Sequence, residues 1–343
     1  MKTIKIKFFG FWEGFDPESF FITKCLREKY NVVITEDADY AIISVFDYSH
    51  SYCNFNGVRI YYSGENVPPD FSEMDYAIAF DDIHFGDRYF RYPMSYNDTE
   101  IGEIAQNKHK NVTESVLAEK DYFCSFMYSH EGIKERTELF HLIFSYKPIT
   151  SVGKYLHNTD IVIPYEENQK SKLAFQHKAK FVLAVENTSY PGYATEKLLH
   201  AFASQSVPIY YGDPTISKEF NSKAFINCHD YDSFEDVLEV VKKLDANDSL
   251  YLEMLKQPAF IEENHVQNRR AKFADFLYNI FEQEYQKAFR RPVDGICKDR
   301  ENWIKDFAFY KKEYLTRQNK KLINRIKQKL RMFRTKNEDK NEQ

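Results

Sequence analysis

Apolar positions near the start of the chain come in short runs, Ile4 to Phe9, Val32 to Thr35, Tyr40 to Val45 and Arg59 to Tyr62, each bounded by Gly, Pro, Asp or Asn. Runs of this length with these borders predict strands. The stretch from about Pro17 to Lys29 reads as a helix between the first two. Strands alternating with helical stretches predict a parallel sheet covered by helices. From Asn97 to Asp121 the apolar residues thin out, which predicts a connection between two units with a boundary near residue 119. A second series then begins, with strands at 122–128, 179–186 and 207–211 and helices at 133–146 and 193–204. Its last three members form one βαβ unit. Helical spacing continues through 234–244 and 249–255, and Arg269 to Phe289 reads as one long, aromatic-rich helix. The pattern predicts the α/β class with two Rossmann-like units facing each other, residues 1–119 and 120–300, followed by a tail at 301–343.

Composition agrees with that picture. The 343 residues are 43% hydrophobic and 29% charged, so disordered and fibrous classes are excluded and two units of ordinary size can each bury a core. Five widely spaced cysteines, Cys25, Cys53, Cys124, Cys228 and Cys297, form no CxxC pair, which points to a reducing compartment. The first nine residues alternate polar and apolar rather than forming the apolar core of a signal peptide, and no apolar run reaches membrane-spanning length. The expected location is therefore cytoplasmic.

Charge is uneven. From Lys311 to Gln343 there are 12 Lys/Arg against 4 Asp/Glu, while the whole chain carries a net charge of -5. Within this tail Leu315, Leu322, Ile323, Ile326, Leu330 and Phe333 fall near helical spacing between basic residues, as in a basic amphipathic helix. Such a helix suits an anionic membrane surface, such as the inner face of a cytoplasmic membrane; packing on the acidic body or a solubilising tail are the other uses of the same residues. A nucleic-acid partner is not expected, because the chain as a whole lacks a basic footprint.

The densest chemistry lies in Phe181 to Leu199. An apolar strand ends at Glu186, a turn holding Pro191-Gly192 follows, and a helix is predicted from Tyr193 with Glu196 and Lys197 near its start. Polar residues at the carboxyl end of a parallel strand mark where open α/β sheets bind ligands. A helix start favours an anion such as a diphosphate, and a lysine there opposes the helix dipole unless an anion neutralises it. On residue types alone, the same segment also fits a plain helix start with a solvated lysine and with Asn187 and Thr188 as turn formers.

The order of residues carries more. Val185-Glu186-Asn187-Thr188, then Tyr193-Ala194-Thr195-Glu196-Lys197, then Val207-Pro208-Ile209-Tyr210-Tyr211-Gly212 closely resembles the signature of the alpha-1,3-fucosyltransferases, glycosyltransferase family 10. Tyr211 stands where that family usually has Trp. The segment Ser63-Gly64-Glu65-Asn66 resembles the family's conserved stretch in the first unit, and the likeness covers roughly residues 58–95 and 120–255. The resemblance implies a GT-B fold, two Rossmann-like domains facing across a cleft. It implies inverting transfer of L-fucose from GDP-fucose to the 3-hydroxyl of GlcNAc, or of glucose, in an acceptor of the Gal-GlcNAc type, such as lipopolysaccharide or another surface glycan. It further implies Glu65 as catalytic base, Arg136 and Lys197 on the diphosphate, Glu196 on the ribose, Asn187 and Tyr193 lining the nucleotide site, and Glu186 orienting a substrate hydroxyl or another site residue. No obligatory metal is expected, since cations and a helix dipole can balance the leaving diphosphate. Asp81-Asp82 and Asp230/Asp232 read as surface loop acids. A transferase using another nucleotide sugar, such as GDP-mannose, and a non-catalytic glycan-binding protein remain the alternatives at this stage.

Overall fold

The computed structural model describes residues 1–163 and 168–338. Six strands, β1 (Thr3–Phe9), β2 (Asn31–Ile34), β3 (Tyr40–Ile43), β4 (Val58–Tyr62), β5 (Tyr76–Ala79) and β6 (Tyr89–Arg91), form one parallel sheet in the order β2-β1-β3-β4-β5-β6. Five more, β7 (Tyr122–Phe126), β8 (Ile149–Ser151), β9 (Ala179–Val185), β10 (Val207–Tyr211) and β11 (Ile226–Asn227), form a second in the order β11-β10-β9-β7-β8. Every described strand pairing is parallel. Parallel sheets are covered on both faces, which is why β4 and most of β9 are buried at successive rather than alternate positions. The expected α/β class with two parallel-sheet units is present.

The helices are α1 (Phe21–Arg27), α2 (Thr99–Asn107), α3 (Lys134–Tyr146), α4 (Asn168–His177), α5 (Glu196–Ala203), α6 (Phe234–Asp245), α7 (Asp248–Leu255), α8 (His265–Glu282), α9 (Tyr285–Ala288) and α10 (Ile296–Glu338). The first departures from the expectation lie in α1, α8 and α2. α1 begins only at Phe21, because Phe20 is extended. The stretch read as one helix from 269 to 289 is broken by extended Gln283, separating α8 from α9. The expected connection holds α2, whose cap Asp98 accepts a hydrogen bond from the Ile101 amide at 3.0 Å. α2 packs on α5 and buries Ile101, Gly102 and Ala105; two of these three are too small to register as an apolar face.

Although they follow the second sheet in sequence, α8 to the start of α10 lie on the first. Phe281 packs on Tyr40 with ring centres 4.6 Å apart. Buried Asp75 accepts hydrogen bonds from the amides of Arg290 (2.6 Å), Arg291 (2.7 Å) and Arg59 (2.7 Å), and pairs with the Arg291 guanidinium. Buried Arg59 donates to Glu301 Oε1 at 2.8 Å, and Ile304 joins the cluster around β3 and β5. α10 thus begins five residues before the expected tail, anchored at its first turns. Of the apolar positions expected to form the tail's amphipathic face, the side chains of Leu315, Leu322, Ile326, Leu330 and Phe333 lie outside those described, while Ile323 is exposed.

Breaking a buried ion pair leaves a charge without its partner, at about 3–5 kcal/mol. Asp75→Ala should therefore lower the urea midpoint by an equivalent amount, whereas Arg300→Ala, which removes half-exposed contacts with Asp70, Ser72 and Glu73, should cost no more than about 1 kcal/mol.

Candidate active site

The site is built where β9 runs into α5. Glu186 follows the last residue of β9 and is fully buried. Its carboxylate accepts hydrogen bonds from the Thr195 amide (2.7 Å), the Thr195 hydroxyl (2.6 Å) and the Lys197 ammonium (2.8 Å). Thr195 occupies the N-cap position of α5, yet its hydroxyl donates to Glu186 and does not cap the helix. The first amides of α5 consequently remain available to an anion. The helix starts at Glu196 rather than Tyr193, so Lys197 is its second residue.

Lys197 also donates to Thr195 Oγ1 at 2.7 Å. Burial acts to lower its pKa, but the carboxylates of Glu186 and Glu196 outweigh burial and hold the ammonium well above its ordinary value. For Glu196, burial acts upward, while Lys197 and Lys172 act more strongly downward and hold the carboxyl at about 2. Beneath them His200, desolvated by burial and repelled by Lys172, is held near 3 and is neutral at ordinary pH.

Glu186 and Arg136 both make their hydrogen bonds to protein groups, Glu186 to Thr195 and Lys197. Arg136, 2% exposed on α3, donates to the carbonyls of His130 (3.1 Å), Glu131 (3.0 Å), Val185 (2.9 Å) and Glu186 (3.0 Å) and to Asn187 Oδ1 (2.9 Å). Its guanidinium also lies 4.0 Å from the Tyr128 ring centre. Both terminal nitrogens donate to protein acceptors, so Arg136 clamps the end of β9, while its buried Nε has no partner among the described residues. Gly132 makes this enclosure possible: it is left-handed at φ +71°, and a Cβ there would sit 2.3 Å from Arg136 Nη1.

Asn187, exposed on the pocket side, is fixed by Arg136 through its oxygen. Tyr193 is buried, its ring set edge-on to Phe80 of the first unit at 5.3 Å. Burial raises its hydroxyl pKa far above normal, with further contributions from Glu186 and, from across the cleft, Glu65. Glu65 follows β4 in a loop locked by the Ser63 hydroxyl, which accepts from the Glu65 amide (3.1 Å) and donates to the Glu65 carbonyl (2.6 Å). Its side chain is exposed and makes no hydrogen bond among the described residues. The charge of Glu65 in the first unit is thus felt at Tyr193 in the second.

The turn before α5 is pinned between the units. Gly192, left-handed at φ +85°, leaves room for the Phe80 carbonyl, which would lie 2.5 Å from a Cβ. Its amide donates to Asp213 Oδ1 at 2.8 Å and its carbonyl accepts from Arg91 at 3.3 Å. Of the acids read as surface residues, Asp82 is half-exposed and pairs with Lys218, but Asp81 is buried and its pKa is raised by that burial.

A pocket of about 220 Å³ opens at the α5 start, lined by Ser129, Lys172, Gln176, Asn187, Glu196 and Lys197. Lys172 and Gln176 come from α4, which sequence reasoning missed because its few apolar residues, Leu173, Ala174 and Phe175, are consecutive rather than helically spaced. A larger groove of about 780 Å³ runs along α1 past Trp12, Phe15, Phe21, Tyr92 and Asn97.

Residues 6–97 match the family described as "Alpha-(1,3)-fucosyltransferase FucT N-terminal domain", and residues 117–290 match "Glycosyltransferase family 10 (fucosyltransferase) C-term". The chain is 34% identical over 229 residues to alpha-(1,3)-fucosyltransferase FucT of Helicobacter pylori, covering 58% of this chain and 47% of that protein. It is 27% identical over 218 residues to alpha-(1,3)-fucosyltransferase B of Drosophila melanogaster, covering 59% and 48%. The chain therefore spans about half the length of these curated relatives. Among solved structures, an alpha1,3-fucosyltransferase with GDP-fucose aligns at a TM-score of 0.66 and 26% identity, over 83% of this chain and 93% of that one.

Because the Glu196 carboxyl is depressed from 4.5 to about 2, its contribution to stability is complete above about pH 4.5 and is lost as pH falls toward 2. Urea midpoints of wild type and Glu196→Gln should differ by a constant amount above that window and converge within it.

Proposed function

The chain belongs to glycosyltransferase family 10, the fucosyltransferases, and from that premise we propose that it moves L-fucose from GDP-fucose onto the 3-hydroxyl of GlcNAc, or of glucose, in a Gal-GlcNAc type glycan. The observation that carries this reading is the confrontation across the cleft of an unpaired carboxylate, Glu65, with an uncapped helix start carrying a lysine held in its charged form. Glu65 removes the proton from the acceptor hydroxyl as its oxygen attacks the anomeric carbon. The bond to the GDP oxygen breaks on the opposite face, giving inversion. Lys197 and the α5 amides take up the negative charge that develops on the departing diphosphate. Glu196 faces the same pocket as an ionised acceptor for ribose hydroxyls. These groups supply the charge balance without an obligatory metal.

The groove along α1 suits the acceptor. Aromatic rings there offer flat apolar faces for sugar rings, and Asn97 links the groove to the Glu65 loop by donating to the Tyr62 hydroxyl at 2.6 Å. A bacterial surface glycan such as lipopolysaccharide is the proposed acceptor class, built at the inner face of the cytoplasmic membrane. α10 serves as the attachment to that surface. Beside its basic residues it exposes Trp303, Phe307 and Tyr310, one helical stripe of the aromatic type enriched at membrane interfaces.

The direct test is transfer from GDP-fucose to lactose and N-acetyllactosamine, with and without EDTA, read by product mass and linkage NMR. An EDTA-resistant alpha-1,3 product is expected; absence of GDP binding would overturn the reading. Glu65→Gln should reduce kcat by about 100- to 10,000-fold, the usual range for a general base, while GDP binds as in wild type. The full chain should also co-sediment with vesicles rich in anionic lipid, but not with zwitterionic ones, and be released by added salt; equal binding to both would remove the electrostatic role of the tail.

A further inference from the structure

Lys197 and Lys172 line the pocket at the α5 start, and Arg136 holds the Asn187 side chain at its edge. Arg136 is committed to carbonyls and to Asn187, and Lys197 to Glu186 and Thr195. The third, Lys172, is different. It projects from α4 into the same pocket, is largely buried, and makes no hydrogen bond among the described residues; its nearest carboxylate oxygen, Glu196 Oε1, lies 3.8 Å away. One turn farther along α4, Gln176 is 5% exposed, lines the same pocket, and has a buried side-chain oxygen with no partner. A largely buried ammonium held only by a 3.8 Å ion pair and a buried amide oxygen without a donor each carry a desolvation cost that closer partners would offset. Burial accordingly lowers the Lys172 pKa, the reverse of its effectively paired neighbour Lys197.

Both unsatisfied groups point into one pocket from adjacent turns of one helix, with complementary chemistry. A nucleoside diphosphate offers anionic oxygens for the first and N–H or O–H donors for the second. Resting on the reading of this pocket as the donor site, we propose that Lys172 binds the diphosphate directly and that Gln176 accepts a hydrogen bond from the nucleoside portion of the donor. Neither residue lies in the motif segments that suggested the function. Lys172 adds a second lysine to the pocket lining beside Lys197, so that two cations there face the one carboxylate of Glu196. The pocket is thereby biased toward an anion.

Calorimetric titration of the full chain with GDP and with guanosine separates the two roles. Lys172→Met should weaken GDP binding by about 10- to 100-fold and leave guanosine within about twofold, because only GDP carries the charge that the ammonium meets. Lys172→Arg should recover most of the GDP affinity. Gln176→Leu should weaken GDP and guanosine by the same factor, about fivefold. A Lys172→Met variant that binds GDP as wild type does, or that loses GDP and guanosine equally, would overturn the diphosphate contact; unchanged guanosine binding by Gln176→Leu would overturn the nucleoside contact. Failure of the wild type to bind GDP would instead remove the donor-site reading on which both depend.

Discussion

The site depends on one buried carboxylate. Glu186 sits at the end of β9 with no exposure, where an unpaired charge would be very costly, and the fold meets it with three donors from the turn and first residues of α5. This arrangement has three consequences. It sets the position of α5 against β9, it draws the Thr195 hydroxyl away from capping so that the helix start stays open, and it keeps Lys197 charged although largely buried. A hydrophobic residue in place of Glu186 could fill the same space, but it would neither orient the lysine nor free the helix amides.

Arg136 works on the same strand end with the opposite charge. Its guanidinium gathers the carbonyls of residues 185 and 186 and the side chain of Asn187, so a carboxylate and a guanidinium together fix the backbone from which the pocket is built. The second unit is held to the first by a further buried network. Glu219 accepts hydrogen bonds from Arg91 (2.6 Å) and the Tyr96 hydroxyl (2.8 Å) and lies 3.4 Å from Arg269. With Gly192 seated against the Phe80 carbonyl, the placement of Glu65 relative to Lys197 follows from packed contacts on both sides of the cleft.

Much of this was legible in the sequence, for physical reasons. β9 and β10 are buried on both faces, so their composition announces them, and the strand–turn–helix order locates the polar cluster at a sheet's carboxyl end without any partner being known. What could not be read was partnership. A charged residue type does not reveal whether it faces a ligand or a carbonyl: Arg136 finds acceptors about 50 residues away, and Arg291 finds Asp75 at a separation of 216. The return of α8 to the first sheet is non-local in the same way. α2 and α4 escaped because small or consecutive apolar residues conceal a helical face that only the neighbouring elements define.

Hydrogen-bond completeness divides the site's charged residues more sharply than motif membership does. Glu186 and Arg136 belong to the recognisable segments or their neighbourhood, yet they are buried and meet several protein partners each, which is the condition of scaffold groups. Among the described residues Glu65 is exposed with no hydrogen bond to its carboxylate, and Lys172 is largely buried with only a 3.8 Å ion pair to Glu196. A fold can leave a solvated carboxylate free at little cost, but a buried, unsatisfied ammonium persists only if something compensates for it. The anion proposed for the pocket that Lys172 lines would supply a closer partner than Glu196 at 3.8 Å, so a group scarcely visible in the sequence is the one whose energetics a ligand would change most.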